Sequence, residues 1–249
     1  MTNAFNYMFK DNKYGQKALV YWAIMFLSQL ASNVAKLFFN GTNNQAGIES
    51  CILLNIISGL LQMLTIGYGF VCIKALIEQK ENFLLPFFKF KQTFILGLKN
   101  SVAVFLYTLT IFVFLILSEL IFSYALNSII LHYVMVLLTI CYVIVYTLSF
   151  AWIFTNTEAI TSYFRIRKAT QLIKANAKTY LKSLVLFAIA AMMCAAPCFV
   201  VTCCLHFIMN KIVVAILISL TTALVSAYVS FACFFITAKA IKPETAENL

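Results

Sequence analysis

Polar and apolar positions are not interleaved along this chain; they alternate in long blocks. Six blocks of mainly apolar residues follow one another, at 18–39, 50–73, 100–126, 130–154, 182–208 and 212–238. About 20 such residues suffice for a helix to cross a bilayer core of ~30 Å. The blocks are continuous, whereas a membrane barrel would show alternating stretches of roughly ten residues. The joints between them differ in kind. Those near 40–49, 127–129 and 209–211 are short and carry no basic residue except Lys211, while those at 74–99 and 155–182 are longer and basic. The pattern predicts an all-α polytopic membrane protein, with six transmembrane helices arranged as three hairpins and basic amphipathic interfacial helices before the hairpins.

Composition agrees with the pattern. Of 249 residues, 63% are hydrophobic and only 10% are charged. Mean hydropathy is +0.95. Soluble domains carry about 25% charged residues, so a water-soluble fold of this size could not hide so much apolar surface.

The net charge of +10 would point to nucleic acid in a soluble protein. Here the charge sits between apolar spans, where it sets topology and meets lipid headgroups, and no nucleic-acid partner is expected. Sixteen of the eighteen basic residues fall on one side of the predicted spans; only Lys36 and Lys211 fall on the other. The positive-inside rule then places both termini in the cytoplasm. Lys10, Lys13 and Lys17 precede the first apolar block in the manner of a signal peptide, but the block is too long for one and reads as a retained span.

An internal repeat is visible. Lys17 in "YGQKALVYW", Lys99 in "LGLKNSVAVFL" and Lys182 in "YLKSLVLFA" lie 82 and 83 residues apart. "SFAWIFTNTEAI" from Ser149 and "SFACFFITAKAI" from Ser230 are 81 residues apart and agree at six of twelve positions. Residues 1–242 are expected to form a single membrane domain of three units, near 1–80, 81–160 and 161–242, followed by a cytoplasmic tail at 243–249.

The most basic joint is "FRIRKATQLIKANAKTY", 164–180. On a helix, Ile166, Ala169, Ile173, Ala177 and Tyr180 form one face, with Arg167, Lys168, Gln171, Lys174 and Lys178 opposite. Such a helix lies in the interfacial plane. No acid occurs between Glu158 and Glu244, and each basic residue near an anionic leaflet contributes on the order of 1 kcal/mol. Arg165, Arg167, Lys168, Lys174 and Lys178 are therefore the candidate contacts for anionic lipid headgroups. The counterpart joint, "ENFLLPFFKFKQTFILGLKN", contains Pro86, which bars a continuous helix. Its Phe83, Phe87, Phe88 and Phe90 suit an interfacial strip.

"FKDNKYGQKAL", Gly67-Tyr68, Pro86 and Gly97–Lys99 resemble a prokaryotic multipass family catalogued as domain of unknown function 4013, over roughly the first 110 residues. "TEAITSYFRIRKATQLIKANAKTYLKS" is similar to the basic joint of related six-span families. Those are the YciC-like inner-membrane proteins and the membrane domain of some glycerophosphodiester phosphodiesterases. The joint here reads "LLPFFKF" where the family usually places an acid and a tryptophan beside the proline. The resemblance implies a multipass architecture in a bacterial or archaeal cell membrane, and no chemistry.

Candidate chemistry inside the membrane is sparse. Glu119 is the one acid deep in a span, about 12 Å from its outer end. An ionisable group there is a functional candidate by default, and Lys36 is the basic residue at comparable depth. Gln29, Asn33 and Lys36 share one helix face, as do Asn55, Ser58 and Gln62. Both faces should turn inward, either to join helices or to line a cavity. The eight cysteines lie within or at the ends of apolar spans and read as small apolar residues. No metal, cofactor or catalytic residue is expected, and the H-E-x-x-H, G-x-S-x-G and phosphate-loop motifs are absent. The expected role is non-enzymatic: organising the membrane or its anionic lipids through the basic helices. The alternative is a small transporter or channel built on Glu119 and the polar faces.

Overall fold

A computed structural model describes residues 13–41, 45–78, 86–121, 129–175, 177–178, 180–186, 188–189, 192, 196 and 211–241. The elements are α1 (Tyr14–Gly41), α2 (Gln45–Glu78), α3 (Phe90–Ser118), α4 (Ile129–Thr157), a 3-10 turn (Ile160–Phe164), α5 (Ile166–Ala175) and α6 (Lys211–Ile241). No strand occurs among the described residues. Four segments are long and apolar enough to cross a membrane: Tyr14–Leu37, Gly47–Glu78, Phe90–Ile121 and Lys211–Phe231. The fourth predicted span falls within α4, which has 29 residues. The fifth predicted span, with Pro197 and Cys194, lies largely outside the described residues, as does the tail.

The long helices are apolar on most sides. On α3, Phe105, Leu109, Phe112, Val113 and Leu117 are all exposed. Helices apolar all round belong in lipid or deep in a core, and the chain is a polytopic membrane protein.

The described residues group into two compact bodies. One comprises the described residues of 13–97 and 182–241, the other those of 98–181. The division falls beside Lys99 and Lys182, two of the repeat marks. In the first body α1, α2 and α6 pack on one another around Tyr21, Tyr68, Cys72, Leu76 and Phe231. In the second, α4 packs against the 3-10 turn and α5.

Positions set one expected repeat spacing apart can be compared in these bodies. By the repeat spacing Tyr68, Phe150 and Phe231 correspond, and each is almost wholly buried. Met63, Val145 and Ser226 correspond, as do Gly15, Gly97 and Tyr180. A Cβ on Gly97 would overlap the Met63 carbonyl, and one on Gly67 would overlap the Thr93 carbonyl. Small residues let these two backbones touch, as is common between membrane helices. One unit on, Tyr180 takes the place of Gly97, and its hydroxyl donates to the Val145 carbonyl while accepting from the Ser149 amide at 3.2 Å. At the third equivalent place the contact is open. A Cβ on Gly15 would meet nothing within 4 Å, and Gly15 lines a cavity of about 390 Å³ with Trp22, Ala227 and Phe231.

The joint after α2 contains no helix at 86–89, as Pro86 dictates. Tyr68 donates to the Pro86 carbonyl at 2.8 Å, which joins two residues that the sequence singled out separately. Phe87 lies 4.7 Å from the Lys17 ammonium across its ring face. This cation–π contact draws the first helix entry onto the joint.

Candidate functional site

The second basic joint begins where α4 ends. Glu158 takes a left-handed conformation, φ 49°, and reverses the chain. Thr157 and Ser162 share a hydroxyl hydrogen bond of 2.9 Å across this reversal. The 3-10 turn then sets Tyr163 against Asn100, whose side-chain oxygen accepts at 2.9 Å. Burial pushes the Tyr163 phenol up to about 12.

α5 is amphipathic, but its inward face is turned from the one expected. Ala169, Leu172 and, further on, Tyr180 are buried. Ile166 and Ala177 are exposed, and Ile173 is half-buried. The contact with α4 selects the Ala169–Leu172 line, because Tyr146 bonds to Thr170 at 2.9 Å and fixes the helix rotation. Arg165, Arg167, Lys174 and Lys178 are exposed and Lys168 is half-buried. None of the five makes an ion pair among the described residues.

An apolar groove of about 440 Å³ lies beside this joint, between α3, α4 and the 3-10 turn. Phe164 and Ile166 close its joint end, with Tyr107, Tyr142 and Tyr163 near them; Phe114 and Met135 line the walls farther along α3 and α4. Ile166 is therefore exposed because it faces this groove rather than the α4 contact.

Glu119 does not pair with Lys36. Its Oε2 lies 2.7 Å from His132 Nε2, across the hairpin between α3 and α4. Glu119 opens a π-helical turn over 119–121 that follows α3. Such turns widen the ring of backbone bonds and are frequent at functional sites. The carboxylate is 45% exposed and the imidazole 18%. The sequence reading set His132 aside as nearer the outer surface, but it stands in the first turn of the neighbouring helix, where a carboxylate at the end of α3 meets it first. Glu119 lines neither the groove nor the cavity at Gly15.

The polar faces behave unequally. Asn33 donates to Ser219 at 3.0 Å, joining α1 to α6. Gln29 is half-buried and Lys36 is exposed. Ser58 is buried and exchanges bonds with Ser28: Ser28 Oγ donates to the Ser58 carbonyl at 3.2 Å, and Ser58 Oγ donates to the Ser28 carbonyl at 3.0 Å. Asn55 and Gln62 do not turn inward. Both are exposed, and Asn55 donates to the Cys51 carbonyl of its own helix at 2.9 Å. A short side chain can satisfy itself on its own backbone, so a polar stripe need not face a partner. Ser28 and Ser219 were missed, because single serines in apolar runs carry no periodic signal.

Cys72 is fully buried in the core, consistent with its use as a small apolar residue. Among the described residues no group of acids, histidines and cysteines could hold a metal ion. Compared with protein-family models, curated proteins and solved structures, the chain matches none.

Proposed function

We propose that this is a non-enzymatic, multipass protein of the cell membrane, with both termini cytoplasmic, that organises membrane through contact with anionic lipid headgroups. The observation that carries the reading is a joint with no acid after Glu158 in which Arg165, Arg167, Lys174 and Lys178 are exposed and whose helix α5 is held against α4 by Tyr146 and Thr170. A basic face held rigidly beside a membrane-spanning helix supports a surface for phosphate rather than a solvated loop. Replacing Arg165, Arg167, Lys168, Lys174 and Lys178 by Gln should sharply lower the anionic phospholipid that co-purifies with the full chain. Unchanged anionic lipid would overturn the reading.

A second reading, movement of protons or cations across the membrane, is favoured by one observation: a carboxylate 2.7 Å from an imidazole at a π-helical turn. On that reading Glu119→Gln abolishes a flux into liposomes and leaves helicity intact. A pure protein that moves no proton or ion would end it.

A further inference from the structure

We propose that the groove beside the basic joint is a binding site for one anionic phospholipid, with a single acyl chain in the groove and the phosphate between Arg165 and Arg167. The inference rests on the lipid-contact reading above and gives it an address.

Three observations converge on it. The groove is graded in polarity. Tyr107, Tyr142 and Tyr163 stand near its joint end, while Phe114, Met135 and Leu138 line the farther walls. A lining that runs from phenols to hydrocarbon matches an amphiphile lying along the helices. Its length fits as well. From Tyr107 to Phe114 on α3, and from Met135 to Tyr142 on α4, the walls run about 10 Å at 1.5 Å per residue. That is much of one ~15 Å leaflet. The volume of about 440 Å³ is in the range of small-molecule sites, roughly 300–1,000 Å³.

The charge is placed for the headgroup. Ile166 lines the groove, and its two sequence neighbours, Arg165 and Arg167, are exposed and without an ion pair among the described residues. Guanidinium groups present planar donor forks that match phosphate oxygens. Lys174 and Lys178 lie two and three helical turns farther on, away from the mouth.

The third observation is a pair of phenols in the wall. The Tyr107 hydroxyl is buried beside that of Tyr142. Thr110 and Thr139, also in the wall, are satisfied by the Leu106 and Met135 carbonyls of their own helices. The two phenols are the polar groups of the wall that can turn to an occupant, and a glycerol ester provides an acceptor at the depth between phosphate and chain.

The test uses the full chain in nanodiscs with phosphatidylglycerol or phosphatidylcholine carrying a photoreactive group on one acyl chain. Crosslinked peptides are mapped by mass spectrometry. With phosphatidylglycerol, labelling should concentrate on 107–114 and 135–142, and Thr110→Trp, which fills the groove and changes no charge, should cut it at least fivefold. Leu138→Trp fills the opposite wall and should do the same, which guards against one variant failing to fold. Arg165→Gln with Arg167→Gln should cut labelling more than Lys174→Gln with Lys178→Gln. Labelling that is equal for the two lipids, or indifferent to both tryptophans, would overturn the site. If the tryptophans change nothing while the fivefold charge variant still loses lipid, the groove is not the address and the surface contact stands. If that variant also keeps its lipid, both readings fall.

Discussion

Gly15 and Gly97 lie 82 residues apart, one expected repeat spacing, and experience opposite surroundings. Gly97 touches the Met63 carbonyl, whereas Gly15 faces open space. Gly97→Ala should therefore destabilise the protein in detergent by at least about 1–3 kcal/mol, because backbone on both sides must move apart. Gly15→Ala should leave thermal unfolding nearly unchanged, or raise its midpoint slightly through helix propensity. Equal effects at the two sites would refute the packing described here. Ser58→Ala removes one hydroxyl from a reciprocal pair with Ser28 and should cost on the order of 1 kcal/mol, as inter-helix bonds in membranes do. At this scale the sequence was partly legible. It picked out Ser58 and Asn33 as members of polar helix faces and Pro86 as a break in the joint, while Gly67 and Tyr68 stood out through the family resemblance alone. It could not tell that Asn55 bonds to its own helix or that Glu119 meets His132. Those outcomes depend on rotamers and on which helix stands alongside.

The helices are where sequence reading did best. Long apolar blocks leave no other way to satisfy backbone groups in lipid, so α1, α2, α3 and α6 follow from hydropathy alone. The break at Pro86 follows from its fixed φ and missing donor. The inward face of α5 was less legible. Ile166 and Leu172 are both apolar, and only the contact with α4 decides that Leu172 is buried and Ile166 is left to the groove. Tyr180 is the far anchor of that joint. Its hydroxyl bridges the Val145 carbonyl and the Ser149 amide, where Gly97 makes bare backbone contact one unit earlier. Tyr180→Phe keeps the ring and loses both bonds, so it should cost about 1–2 kcal/mol. Amide exchange over 166–175 should quicken, while exchange in α1 and α2 stays as it was. Exchange that rises everywhere equally would show that Tyr180 supports the whole fold and not this joint.

Across the whole molecule, charge and hydropathy divide the labour. Apolar surface covers the helices, with few charges to interrupt it, so the bilayer supplies much of what a soluble protein would bury in its own core. The basic residues gather at the joints, where the proposed reading has them meet lipid phosphate. The proposed role follows from that division, and it makes retention of anionic lipid depend on salt, since exposed charges are screened over about 10 Å at 0.1 M. One measurement bears most directly on it. A fluorophore on Lys174→Cys, in a chain whose other cysteines are replaced, is placed in nanodiscs whose lipids carry a headgroup spin label. The account predicts stronger quenching by labelled phosphatidylglycerol than by labelled phosphatidylcholine, with the difference shrinking as salt is raised from 0.05 to about 0.5 M. Equal quenching by the two lipids at low salt would contradict it.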